Sequence, residues 1–267
     1  MKPLTVVVTG RNDNYDGNFE ERLALALTSN IRNLPNAEFI FVEWNPILDK
    51  PLVCENLKKI FKNKIRYYVV HPKYHEQYCT CDWFIEYPAK NIGIRRSKGE
   101  FILCTNSDII FSPEVCKALS SKLDRNRMYR AVRIDIPCDY LNVSFPILGK
   151  YKLSINKGLT NACGDFLLLH RDIWFEVTGY CEEFPEQRLH KDSQIIYMIQ
   201  KKHNIPVTDL GIITHWRHRS SWSNNIKRPR VGDPNWDFKS VSYETNKDTW
   251  GLSFTEEINR NGITWIL

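Results

Sequence analysis

Asp108 raises the first chemical question in this sequence. It follows the apolar run Phe101-Ile102-Leu103-Cys104-Thr105 through Asn106-Ser107, and it precedes a second run, Ile109-Ile110-Phe111. A carboxylate between two hydrophobic runs is costly to bury without a partner. A hard divalent cation is one such partner, because it takes oxygen ligands from carboxylates and amides. The other reading is an Asx turn that ends the strand, with Asp108 capping the next element. On these residues alone both readings stand. A second set of metal-binding residue types, His71, His75, Cys79 and Cys81, matches no zinc spacing and has no paired knuckle after it, so zinc is not expected there. Further on, Arg217, Arg219, Lys227, Arg228 and Arg230 occur with no acidic residue between 217 and 230. Such a strip can grip a diphosphate through bidentate contacts. It can equally be a solvated patch, or a contact for an anionic membrane surface.

The elements that position these residues follow from periodicity. Residues 4–8 are an apolar β-branched run, expected as a buried parallel strand. A polar loop from Thr9 to Asn18 leads to a helix over 19–33, with Phe19, Leu23, Leu27 and Ile31 at helical spacing. Strands are expected at 38–42 and 65–70, with a Lys-rich amphipathic stretch at 54–64 between them. A helix starts at Pro88, carries Arg95, Arg96 and Lys98 near its end, and is expected to stop at Gly99. After the Asp108 triplet, Ser112 and Pro113 suit the N-cap and first position of a helix over 113–123. Strands follow at 128–136, 161–169 and 206–214, with a helix from His170 to near Gly179 and another over 193–202. The stretch 137–160 is irregular and is expected as an acceptor-facing insertion. Strand, loop, helix is the opening of an α/β fold whose ligands bind beyond the carboxyl ends of the strands. Gly10 and Gly17 do not form the G-x-G-x-x-G fingerprint, so a Rossmann dinucleotide site is not expected.

A helix bearing Asn91-x-Gly93 and Gly99-Glu100, then a strand, then a polar triplet ending in Asp resembles the nucleotide-sugar half of GT-A glycosyltransferases, especially the family-2-like group. The string from Arg11 to Asn18 looks like a signature of one branch of that group. The order of 161–203 resembles its second half: a Gly-containing strand, Trp174-x-x-x-x-Gly179-Tyr180, an acidic loop, and an acid at a helix start. The resemblance covers roughly residues 4–218. It implies an α/β GT-A (Rossmann-like) fold, with a central mixed, mostly parallel sheet flanked by helices. It also implies one domain over 1–267: a nucleotide-sugar half (1–111), an acceptor and catalytic half (112–218) and a C-terminal extension (219–267). By the same resemblance, Thr9, Arg11, Asn12 and Asp13 lie in the nucleoside loop, and Glu43 contacts base or ribose. Trp44 is a stacking surface or, alternatively, core filler. Lys90, Asn91, Arg95, Asn106 and Ser107 stand at donor-contacting positions, although Arg95 can instead answer a surface acid. Asp108, His215 and Asn106 hold a divalent metal, manganese or magnesium. Asp192 is the base that deprotonates the acceptor hydroxyl, which implies inversion, and Asp165 lines the acceptor site. For Asp192 the plainer alternative is an N-cap. The triplet departs from the family's usual Asp-x-Asp, because Asn106 is neutral.

The implied activity is transfer of a hexosyl or deoxyhexosyl group from a nucleotide-diphosphate sugar, a UDP-sugar first, to a hydroxyl of a glycan or other acceptor. Two rivals remain. A nucleotidyltransferase acting on sugar phosphates needs paired carboxylates for two metals, and no second acid adjoins Asp108 in sequence. A carbohydrate-binding protein accounts for eight Trp but needs neither Asp108 nor His215. The net charge of +6 suits an anionic ligand but is too dispersed to point to nucleic acid. Eight irregularly spaced Cys are expected as free thiols, which points to a reducing, cytoplasmic location. The chain enters its first strand without a signal-peptide pattern. No run reaches the length of a membrane span, so no transmembrane segment is expected, and peripheral membrane contact stays open. Asn142-Val143-Ser144 fits a glycosylation sequon that a cytoplasmic chain would not use.

Overall fold

The computed structural model describes residues 2–137, 163–183, 190–217 and 246–267. The insertion over 138–160, its sequon, His218 and the basic strip beyond Arg217 lie outside them, as do Trp222 and Trp236. Strand β1 (Lys2–Gly10), helix α1 (Phe19–Asn33), strand β2 (Glu38–Trp44), helix α2 (Val53–Phe61) and strand β3 (Ile65–Val70) come first, as the periodicity requires. They are followed by α3 (Pro72–Tyr78), α4 (Glu86–Arg96), β4 (Gly99–Thr105), β5 (Ile109–Phe111), α5 (Pro113–Leu119) and β6 (Met128–Pro137). The second half adds β7 (Phe166–His170), α6 (Arg171–Glu176), α7 (Lys191–His203) and β8 (Val207–Arg217). Near the C-terminus, β9 (Glu257–Arg260) and β10 (Ile263–Ile266) form a hairpin.

Among the described residues these strands form one mixed sheet, ordered β5-β8-β6-β7-β4-β1-β2-β3-β10-β9. The pairings β1–β2, β2–β3, β1–β4, β3–β10 and β6–β8 are parallel, and β4–β7, β6–β7, β5–β8 and β9–β10 are antiparallel. The expected α/β architecture is therefore present. Alternation along β1 explains why it is covered on both faces. Leu4, Val6 and Val8 pack with α1, α2 and α5, whereas Val7 packs with Ile94 of α4 and Ile195 of α7.

Three features differ from the sequence expectation. Helix α4 stops at Arg96, three residues before Gly99, which is instead the first residue of β4. A Cβ on Gly99 would lie 2.5 Å from the Thr5 backbone nitrogen, so this glycine permits close strand approach rather than a helix stop. Helix α5 is one turn shorter than 113–123, although Ser112 does cap it, accepting from the Val115 amide. The C-terminal hairpin has no counterpart among the expected elements. Its strand β10 pairs with β3, so the end of the chain completes the sheet beside the first half. No helix among the described residues is long and apolar enough to cross a membrane.

One sheet edge matters for chemistry. β1, β2, β3 and β4 run parallel, so the residues after Gly10, Trp44, Val70 and Thr105 share an edge. β7 is antiparallel to β4 with Thr105 opposite Phe166, which brings Asp165 to the same edge. β6 and β8 run parallel with Asp135 opposite His215, and Ile109 of β5 pairs with His215. The topology thus gathers Asn106–Asp108, Asp135, Asp165 and His215.

Candidate active site

Asp108 is 5% exposed and lies between the side chains of His215 and Arg22. Its Oδ2 is 3.6 Å from His215 Nε2 and 3.8 Å from Arg22 Nε. The other ring nitrogen of His215, Nδ1, is 2.8 Å from Asp135 Oδ1. Arg133 spans the next pair, with Nε 3.2 Å from Asp135 and NH1 2.8 Å from Asp165 Oδ2. Asp165 Oδ1 accepts from Asn106 Nδ2 at 2.8 Å, and Asn106 Oδ1 in turn accepts from the Lys90 ammonium at 3.0 Å. Lys90 also donates to the Gly164 carbonyl at 2.8 Å and pairs with Glu86 one helical turn earlier. The result is a continuous polar network with alternating charge, running from α1 beneath the sheet edge to α4.

Burial raises the Asp165 carboxyl above the usual carboxylate range, against the pull of Arg133 and His215. Burial is the largest single influence on Lys90 and works against its charge, but Glu86 together with Asp165 and the other groups around it outweighs burial, so the net shift is upward and the ammonium stays charged. Asp192, the second residue of α7, accepts from the Ser193 amide at 2.8 Å and from the Cys163 thiol at 3.1 Å. A Cβ on Gly164 would meet Asp192 Oδ2 at 2.9 Å, so the carboxylate lies directly over this glycine, next in the chain to Asp165.

A divalent cation fits the pair Asp108 and His215. Ligand atoms about 2.0–2.2 Å from one ion lie about 3–4 Å apart. The 3.6 Å between Oδ2 and Nε2 falls in that range. A metal-binding imidazole donates its other N–H to a carboxylate, which fixes its tautomer, and Asp135 stands there. Asn106 does not fit the set. Its amide oxygen faces an ammonium and its amide nitrogen faces Asp165, so the side chain is a strut between Lys90 and Asp165. The triplet therefore offers Asp108 alone, with Ser107 half-buried beside it.

Other expected contacts are occupied by the protein. Glu43 is fully buried, and its two oxygens accept from the Val53 and Cys54 amides at 3.0 and 2.9 Å. It caps α2 and is not positioned for a base or ribose. Trp44 is fully buried too, so the core-filler alternative holds and the stacking surface does not. Lys90 is an internal ion. Asn91 is fully buried and bonded to both the N–H and the carbonyl of Tyr180 and to Glu182. Arg95 stacks 4.9 Å from the Trp250 ring, so it answers an aromatic rather than an acid. In the first loop, the Asn12 amide clamps the Ile47, Lys50 and Pro51 carbonyls. Asp13 accepts from the Tyr15 amide at 3.2 Å. Arg11 donates to the Asn45 carbonyl at 2.6 Å, and Thr9 is buried at the end of β1. These side chains shape the loop, and the contacts they make are internal.

Sequence reasoning missed Asp135, Arg133 and Arg22. Asp135 had the same signal as Asp108, an acid at the end of an apolar strand. Arg22 is a charge on the apolar stripe of α1, three residues after Phe19, and is buried.

No family model matches the sequence, and no curated protein matches it. Solved structures do. The chain aligns over 82% of its length with the mannosyltransferase PcManGT from Pyrobaculum calidifontis, in complex with GDP-Man and Mn2+, at 15% identity and a TM-score of 0.52. It aligns over 80% with S. aureus TarS 1–349 in complex with UDP, at 13% identity and a TM-score of 0.51. It spans 58% of the former chain and 60% of the latter. At this identity what is shared is the fold.

Proposed function

We propose that this chain, with its GT-A type of fold, is a glycosyltransferase that takes its sugar from a nucleoside-diphosphate donor. The observation that carries the reading is the group Asp108–His215–Asp135 at the carboxyl edge of the sheet, the position at which open α/β sheets bind ligands. The bound GDP-Man and Mn2+ of the mannosyltransferase, and the UDP of TarS, support a nucleotide-sugar donor and a divalent ion by analogy of fold.

In this reading Asp108 and His215 would hold the cation, and Asp135 keeps His215 in the tautomer whose Nε2 carries the lone pair. The cation, when bound, neutralises charge on the departing diphosphate. Asp192 takes the proton from the acceptor hydroxyl as it attacks the anomeric carbon from the face opposite the leaving group, so configuration inverts. Arg133 and Asn106 hold Asp165 beside that base as a wall of the acceptor site. Residues 1–111 bind donor and 112–218 carry the acceptor side, while the C-terminal hairpin pairs with β3 of the donor half.

The test is a thermal-shift and transfer screen of UDP-, GDP-, TDP- and CMP-sugars, each with and without manganese. Manganese-dependent stabilisation by one nucleotide class is expected. Stabilisation by free glycans alone, with no response to any nucleotide, would overturn the reading.

A further inference from the structure

Cys79 and Cys81 are bonded to each other, against the expectation of free thiols throughout, whereas among the described residues Cys54, Cys104, Cys116, Cys163 and Cys181 keep their thiols. The pair lies just after the end of α3. His75, one turn before Cys79, brings Nε2 to 3.6 Å from the Cys79 sulfur and 3.8 Å from that of Cys81. Three such ligand atoms within 4.8 Å of one another invite a metal. Trp44 argues otherwise. Its indole N–H, which can only donate, points at His75 Nδ1 at 3.0 Å. Nδ1 must therefore be the acceptor, and the neutral ring carries its proton on Nε2, where it faces the Cys81 carbonyl and the two sulfurs. A metal at Nε2 would displace that proton to Nδ1 and set two N–H groups against each other. Burial lowers the His75 pKa, which keeps the ring neutral.

We propose that Cys79-Thr80-Cys81 is a thiol–disulfide exchange site for low-molecular-weight thiols and disulfides, with His75 Nε2–H as the donor that stabilises the leaving thiolate. Access favours Cys81, because it is half-buried and follows exposed Thr80, whereas Cys79 is buried. An external thiolate attacks the Cys81 sulfur. The Cys79–Cys81 bond breaks, a mixed disulfide forms on Cys81, and Cys79 leaves as a thiolate beside Nε2–H. A second external thiolate attacks the outer sulfur of the mixed disulfide. It releases the small-molecule disulfide and the Cys81 thiolate, and both cysteine thiolates take protons from solvent. Two electrons pass from two external thiols to the protein, and an external disulfide reverses the sequence. The fold, not the bond alone, keeps the sulfurs together. The Cys79 amide is tied to the His75 carbonyl, and Arg11 donates to the Asp82 carbonyl just after Cys81. Ring closure after reduction is therefore an intramolecular step between positioned groups.

The experiment equilibrates the full chain in glutathione buffers of graded reduced-to-oxidised ratio, quenches with acid, alkylates under denaturing conditions and counts labels by mass spectrometry. Residues 79 and 81 are expected to pass together and reversibly between two labels and none. His75→Phe is expected to slow exchange about tenfold, through a poorer leaving thiolate. Cys79→Ser is expected to trap glutathione on Cys81, which keeps the proposal testable if the His75 variant does not fold. Two labels at every ratio would overturn the proposal. So would a stoichiometric bound zinc ion whose removal by chelator alone exposes the thiols.

Discussion

The Lys90 ammonium sits 3.0 Å from the side-chain oxygen of Asn106. That contact decides what the first position of the polar triplet does. An oxygen facing an ammonium, on an amide whose nitrogen faces Asp165, is committed inside the protein. Restoring an acid with Asn106→Asp removes the donor to Asp165 and sets two carboxylates within hydrogen-bonding distance, one of which must protonate or turn away. Manganese affinity is expected to stay unchanged in a titration, while stability falls by about 1–3 kcal/mol in chemical denaturation. Tighter manganese binding would show that position 106 reaches the ion after all.

In the proposed site Asp135 would act on the ion through His215. Asp135→Asn keeps the shape but weakens the acceptor on Nδ1, and manganese affinity is expected to drop about 10–100-fold. Fold stability should move little, because the Asp135 side chain is 44% exposed. An unchanged manganese titration would remove Asp135 from the site.

Asp192→Asn separates binding from chemistry. Nucleotide-sugar affinity is expected to persist, while turnover falls by about 10²–10⁴-fold with loss of the base. A variant that transfers sugar at the wild-type rate would require another group to take the proton.

Glu43 gives the molecule a pH signature unrelated to catalysis. Burial pushes its carboxyl up from 4.5 to about 7, against the pull of the Cys54 and Val53 amides. Between those values the folded chain holds a proton that the unfolded chain has released. Stability therefore falls as pH rises through this window, and the loss is complete above about 7. The size is on the order of 3 kcal/mol. Glu43→Gln is expected to flatten this part of the curve in urea melts from about pH 4.5 to about 8. A slope identical to that of the parent would mean that Glu43 ionises normally.

The local elements and their order can be read from the amino-acid sequence alone. Apolar runs of strand length, such as 4–8 and 65–70, and the stripe of Phe19, Leu23, Leu27 and Ile31 allow one secondary structure each, because periodicity is a property of neighbours in the chain. The sequence also marks Asp108, an acid between two apolar runs that is conspicuous in one dimension, whereas His215 is singled out by the resemblance and by its place directly after an apolar run. The tertiary structure decided which polar residues face a ligand and which face each other. Glu43, Trp44, Lys90 and Asn91 have the types expected of a binding site, yet each meets its partner across the fold, 10 to 91 residues away in the chain. Asp135 joins the site because the pairing of β6 with β8 sets it opposite His215, 80 residues away in the chain. Such pairings depend on through-space distance at a few ångströms, and nothing in linear spacing encodes that.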